Sequence, residues 1–280
     1  MKAEIPEAML AEVPQTKWGK ILSVTPVVMT VVATLLAGLA SSEMTTAQYD
    51  RALGAQLQSK AGDQWSYFQA KKMRGAIQRN SVELLQASGA VHPIENGTFA
   101  KVPTPAPINF DSQLQAALQA VETQALESEV RELLKPVSDN TLAAALQAAK
   151  ANAVAFDGEL AGANQSLDQL EKSLPAGDHA VARDFIAAKM RYNATRYESE
   201  ARVNQTIANL LELQVRKANI SAERHHKRSG KFFFGMLAAQ AAVIVSTFAI
   251  AARKRNFLWS VAAVAGVAAI IFAIYVYLRV

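Results

Sequence analysis

Four histidines, 24 aspartates and glutamates and no cysteine are the raw material for chemistry in this 280-residue chain. Without cysteine there is no thiol nucleophile, no thiolate metal site and no disulfide. His225 and His226 are adjacent. Neighbours on a helix point about 100° apart, so the two cannot close on one metal ion. They read as imidazoles near a membrane interface, with a metal shared between subunits as the alternative. His92 and His179 fall at or beside expected helix breaks. The carboxylate pairs Asp157 with Glu159 and Glu198 with Glu200 read as solvated helix faces rather than acid–base dyads. The chain contains no P-loop, GxGxxG, HExxH, GxSxG or EF-hand spacing. It is expected to be no enzyme and to need no cofactor.

The elements that carry these residues are set by composition. Hydrophobic residues make up 51% and charged residues 19% of the chain, too apolar for a disordered tail. The charged share is below the usual quarter, as in a membrane protein that dilutes a polar domain. A helix needs roughly 20 apolar residues to cross a bilayer, and residues 21–42, 232–252 and 257–280 supply three such segments. The first is too long for a cleaved signal peptide and is expected to stay as an anchor. Residues 253–256, with Arg253, Lys254 and Arg255, form a basic turn that makes the last two spans a hairpin. Trp18, Trp259, Tyr275 and Tyr277 fall where interfacial aromatics belong.

No Asp, Glu, Lys, Arg or His lies within 21–40, 232–252 or 257–278, which argues against a proton relay or ion-coupled carrier. Small residues recur every four positions at Ala33, Ala37 and Ser41, at Gly235 and Ala239, and at Ala265, Ala269 and Ala273. This spacing lets helices approach closely in lipid. Gln240 is the most polar side chain deep in a span. Its amide is expected to face a helix neighbour in the same chain or in a second copy.

Residues 43–231 are expected to form one polar, all-α domain. A first helix covers 43–88, with Leu53, Leu57, Trp65, Phe68, Met73, Ile77 and Leu84 recurring along it. Pro93, Pro103, Pro105 and Pro107 mark a loop over 89–108. Asp111 caps a helix running to about Lys135, where Pro136 stops it. Ser138 or Asp139 starts the next helix, which ends before Pro175-Ala176-Gly177. From Asp178 onward there is no proline, and Val181, Phe185, Ala188, Tyr192, Ser199, Val203, Ile207, Leu210, Gln214 and Lys217 trace a helical seam. The first and last helices are expected to pair antiparallel as a coiled-coil-like stalk, with the middle helices at or near its far end. Residues 1–20 form an N-terminal tail.

On the first helix, Trp65 and Phe68 share one face, and Asp63, Gln64, Gln69 and Lys71 can hydrogen-bond across a contact there. This group reads as a helix-pairing or subunit-pairing motif, with ligand binding as the alternative. The run Asp63-Gln64-Trp65-Ser66-Tyr67-Phe68-Gln69-Ala70-Lys71 resembles the Asp-Gln-Trp-x-Tyr-x-Gln-Ala-Lys signature of a bacterial membrane-protein family of unknown function. The closing region is similar too: His225-His226, an aromatic-led span with Gln240, a basic turn and Leu258-Trp259. Residues 89–177 look divergent or inserted. The resemblance implies a three-span membrane protein with a helical domain after the first span, and no activity.

Lys17, Lys20 and the basic turn lie on one side of the spans, which places them in the cytoplasm and the domain in the periplasm, across the bacterial inner membrane. Arg216, Lys217, Arg224, Lys227, Arg228 and Lys231 compete for the opposite orientation. Residues 101–178 hold five Lys and Arg against eleven Asp and Glu, so the net charge of +5 is concentrated near the membrane. Arg224, Lys227, Arg228, Lys231, Arg253, Lys254 and Arg255 are candidates for anionic lipid headgroups. No basic stripe with interleaved aromatics suggests nucleic acid. The expected role is a self-associating scaffold, an accessory of a larger membrane complex. A homo-oligomeric channel with a hydrophobic pore and a sensor with a helical ectodomain are the alternatives.

Overall fold

The computed structural model describes residues 17–94, 97–100, 102–175, 177–251 and 255–279. Among these, every regular element is a helix: α1 (Lys17–Ser88), α2 (Gly97–Ala100), α3 (Ser112–Glu122), α4 (Glu127–Leu134), α5 (Asp139–Lys172), α6 (His179–Ala251) and α7 (Arg255–Arg279). Two helices, α1 and α6, are long and apolar enough to cross a membrane; the apolar stretch of α7, Ser260–Val276, is shorter. The N-terminal tail before Lys17, Arg253 and Lys254 lie outside the described residues. So do the side chains of Trp18, Trp259 and Tyr277.

Internal contacts divide the chain into two compact units, Met1–Arg51 with Asn219–Val280, and Ala52–Ala218. In the first unit, the start of α1, the end of α6 and α7 bury a core of small side chains. Ala33, Leu36 and Ala40 meet Phe232, Ala239, Ala269 and Val276 there. Such packing suits helices whose association depends on close contact rather than on water exclusion. A Cβ added at Gly266 would stand 2.4 Å from the Met29 sulfur. Ser229 Oγ donates to the Ala40 carbonyl at 2.7 Å. The four-residue row expected at Ala33, Ala37 and Ser41 turns outward, since Ala33 is buried, Ala37 half-buried and Ser41 exposed. A four-residue step overshoots a turn by about 40°, so the buried line moves instead through Leu36 and Ala40.

In the second unit, α6 is covered on several sides. Against α1 it presents small residues at seven-residue spacing: Ala187, Ala194, Ala201 and Ala208 are all buried. The facing side of α1 has buried Gly54, Ala61, Gly75 and Val82, also seven apart or multiples of it. Backbones come close enough that a Cβ on Gly75 would stand 3.4 Å from the Ala194 carbonyl oxygen. The larger apolar side chains Met73, Ile77 and Leu84 of α1 are exposed instead.

The middle helices do not gather at one tip. The proline-containing segment after α1 runs along α6. The His92 backbone N–H donates to Asp184, Phe99 packs edge-on to Phe185, and the Ala106 carbonyl accepts from Asn152 on α5 at 2.9 Å. Pro103, Pro105 and Pro107 favour an extended stretch after α2, at about 3.1 Å per residue, so a few residues carry the chain a long way. It delivers α3 and α4 beside residues 209–217 of α6, where Asn209 donates to Glu122 at 3.1 Å. Lys217 Nζ donates to the carbonyls of Leu134 (3.1 Å) and Val137 (2.8 Å), satisfying the α4 C-terminus. From there α5 runs antiparallel to α6: Asn164 accepts from Arg196 at 2.8 Å and Glu171 from Lys189 at 2.5 Å.

The single helix expected over 111–135 is two helices. Asp111 caps α3 by accepting from the Gln113 N–H at 2.9 Å. The helix then closes early: Ala125 N–H donates to Ala120 O at 2.8 Å, Gln124 N–H to Val121 O at 3.1 Å, and Gln124 has φ 55°. This pair of bonds around a left-handed residue is a Schellman closure. It is hard to foresee because glutamine, not glycine, occupies the left-handed position. Ser138 caps α5 by accepting from the Thr141 N–H at 3.0 Å.

Candidate functional site

The motif segment lies in the second unit, on the part of α1 that packs against α6. Trp65 and Phe68 are half-buried and meet edge-on at 5.3 Å between ring centres. The indole N–H of Trp65 donates to Glu212 Oε1 at 2.8 Å. Two turns further along α1, Lys71 forms a close ion pair with Glu200, and its ammonium stands 5.6 Å from the centre of the Tyr197 ring. Arg196 approaches the same two groups: its Nε is 3.3 Å from Glu200 Oε1, and its guanidinium lies 4.6 Å from the Tyr197 ring centre. Glu198 pairs with Arg79 at 3.0 Å and with Lys72 at 3.5 Å.

Glu200 is thus not part of a solvated face. It is 9% exposed, and two cations on different helices compensate the loss of water that burial imposes. Neither Glu198 nor Glu200 is arranged as a proton-transfer dyad, because each faces cations rather than a second carboxylate. Among the motif residues, Asp63 and Gln69 are exposed on α1. Gln64 is half-buried, and its Oε1 is shielded from solvent without a hydrogen-bond partner. Gln64 and Lys71 line a cavity of about 260 Å³ together with Phe156, Asp157 and Glu200.

In the first unit, Glu43 bridges two residues one turn apart on α6. His225 Nδ1 lies 2.5 Å from its Oε2, and Arg228 Nη1 lies 3.3 Å from its Oε1. Arg228 is therefore occupied by protein, with its side chain only 14% exposed. Lys227 donates to Glu223 at 2.6 Å. Arg224 is exposed and Lys231 half-buried. Arg255 opens α7, with its side chain outside the described set. Gln240 is exposed on α6 and has no hydrogen-bond partner among the described residues. No group of three or more His, Cys, Asp or Glu side chains suited to a metal occurs among the described residues.

Among the described residues of the second unit, Asp184, Lys189 and Tyr192 have displaced protonation equilibria. The backbone N–H of His92 donates to Asp184 and holds its carboxyl below the ordinary 3.8. The hydrogen bond to Glu171 raises Lys189 above 10.5. Burial pushes the Tyr192 phenol above 10.0. None of the three lines the cavity beside Gln64. Glu43, Glu200 and Glu212 are functional-site partners that residue spacing alone missed. They sit at the antiparallel register of two helices whose facing residues are separated by more than a hundred positions, and only the seven-residue recurrence of small residues hinted at that register.

No curated protein and no solved structure matches the chain. A family model does match, over residues 18–279 and hence nearly the whole chain, and its description is a domain of unknown function, DUF4337. With all-helical architecture and two helices able to cross a membrane, the chain belongs to the DUF4337 family, whose function is unknown.

Proposed function

We propose that this chain is a non-enzymatic integral membrane protein that crosses the bilayer three times, through residues 21–42, 232–252 and 257–280. In this reading it self-associates as a scaffold or accessory component of a larger membrane assembly. The observation that carries the self-association is Gln240. Its amide is exposed on the same face of α6 as Leu237, Ile244 and Phe248, which are 42, 57 and 65% exposed. A primary amide surrounded by hydrocarbon seeks a partner, and an interhelical hydrogen bond there contributes about 0.6–2 kcal/mol. A second copy of α6 supplies both an amide and an apolar face.

Membrane insertion is supported by how little of the apolar length the protein itself covers. Only 22% of the most apolar window of α1 and 33% of that of α6 is buried. A core helix of a water-soluble protein would be mostly enclosed. The seven-residue recurrence of buried small residues on α1 and α6 supports a coiled-coil-like pairing in the helical domain. The basic turn at 253–256 and Lys17 and Lys20 support a cytoplasmic N-terminus and a periplasmic domain in a bacterial inner membrane, with Arg224, Lys231 and the turn near anionic headgroups.

The test is the assembly state of the full chain in native-lipid nanodiscs, measured by native mass spectrometry, for wild type and Gln240→Leu. The expected result is an oligomer that shifts to smaller species in the variant. A wild-type monomer, or a variant oligomer of unchanged stability, overturns the reading. Protease cleavage near Pro103 in sealed inverted vesicles is expected to require detergent.

A further inference from the structure

We infer that the open cavity beside the motif segment is a binding site for a small solute carrying a primary ammonium group. The cavity, about 260 Å³, lies wholly within the second unit, between α1, α5 and α6. Its floor is apolar, formed by Phe156 and Val203, and its polar groups come from all three helices. This inference does not depend on self-association.

The chemistry of the lining is asymmetric. Of the charged groups at the cavity, Lys71 and Glu200 neutralise one another, and Glu200 is further paired with Arg196. Asp157 has no ion-pair or hydrogen-bond partner among the described residues. Gln64 Oε1 is also unpartnered although shielded from solvent. The charge in the lining without an opposite partner is therefore the Asp157 carboxylate, and the lining acceptor shielded from solvent without a donor is Gln64 Oε1. The Gln64 oxygen is withdrawn from water without a donor, which is costly, and an ammonium group offers three donors and a charge opposite to that of the exposed Asp157. An anion would meet the opposite situation, because the one ammonium in the cavity already serves Glu200. A neutral alcohol could bond Gln64 but gains nothing from the charge of Asp157. The apolar floor suits a short methylene chain behind the ammonium, as lysine side chains themselves lie along apolar surface.

The experiment is calorimetric titration of the full-length protein in nanodiscs of zwitterionic lipid, with three four-carbon probes: butane-1,4-diamine, butane-1,4-diol and succinate. The expected result is saturable one-site binding of the diamine alone. Asp157→Asn is expected to weaken it at least about tenfold, the factor that corresponds to one charge-assisted hydrogen bond. Ala153→Phe, which fills the cavity without touching its charges, is expected to abolish it. Ala153 lines the cavity and is half-buried, whereas Asp157 is exposed, so Asp157→Asn tests the site with a fold that depends little on the altered side chain. Equal binding of succinate or the diol, diamine binding unaffected by either substitution, or no saturable heat with the diamine each overturns the inference.

Discussion

The Trp65 indole and the Glu212 carboxylate, 147 positions apart in the chain, are joined by a hydrogen bond of 2.8 Å between α1 and α6. An N–H that donates to a half-buried carboxylate contributes more than a neutral pair, about 1.5–3 kcal/mol. Trp65→Phe keeps the edge-on contact with Phe68 but removes the donor, so it is expected to destabilise the protein by roughly that amount. Trp65→Ala also loses the ring and falls toward the lower end of the ~3–5 kcal/mol known for buried tryptophans, because this one is half-buried. Glu212→Gln retains an acceptor and costs less than either. Denaturant unfolding of the detergent-solubilised chain, followed by circular dichroism, gives the ranking; a Trp65→Phe variant equal to wild type would remove the bond from the account.

Two glycines in the same helix are expected to respond in opposite directions. A Cβ at Gly62 meets nothing within 4 Å, whereas one at Gly75 meets the Ala194 carbonyl oxygen at 3.4 Å. Gly62→Ala should stabilise the helix by about 0.5–1 kcal/mol by reducing unfolded-state entropy. Gly75→Leu has no room against α6 and should destabilise by about 1–3 kcal/mol. Thermal unfolding midpoints of the two variants are expected to move apart, one above and one below wild type.

Met29 and Gly266 make the corresponding close approach in the first unit. The 2.4 Å that separates an added Cβ from the Met29 sulfur is within the reach of a flexible side chain to relieve. Gly266→Ala is therefore expected to be mild. Gly266→Val should lose about 1–3 kcal/mol, and Met29→Ala in the same chain should restore part of it. A double-mutant cycle on thermal unfolding in detergent measures the coupling; strict additivity would show that the two residues do not share the space.

The pair His92 and Asp184 makes stability depend on acid. Asp184 is held below its ordinary 3.8 when folded, so the native state favours the carboxylate and the unfolded chain binds the proton more readily. The contribution is fully present above 3.8 and is lost as pH falls through the lower folded value. Asp184→Asn should reduce the unfolding midpoint at neutral pH, and the gap to wild type should close on acidification below that point. Lys189, raised above 10.5 by Glu171, works in the other direction: its contribution is complete below 10.5 and disappears as pH rises through the folded value. Unfolding midpoints measured across the pH range test both signs.

Much of the architecture is local and therefore readable along the chain. Apolar runs without charge identify α1 and α6 as long enough to cross a bilayer, and helix starts at Asp111 and Ser138 follow from side chains that reach backbone N–H groups two or three residues away. The side of α1 that carries Trp65 and Phe68 also follows from helical geometry. The burial pattern was less legible. Large apolar residues suggest an inner face, yet Met73, Ile77 and Leu84 of α1 are 66, 53 and 71% exposed while Ala61 is fully buried. Close backbone approach rewards small side chains, which carry little hydrophobic signal of their own.

Most helix positions and the proline breaks depend on neighbours within a few residues, so the order of amino acids was enough to establish them; the division at Gln124 is the exception, because glutamine there carries no turn signal. Which carboxylate meets Trp65, which cations surround Glu200, and that Gln64 and Asp157 share one cavity depend on the relative register of α1, α5 and α6. That register is fixed by contacts between segments far apart in the chain: Gly75 against Ala194, His92 against Asp184, and the Ala106 carbonyl against Asn152. Each is a contact whose energy comes from a distant partner, and the identity of that partner exists only once the chain has folded.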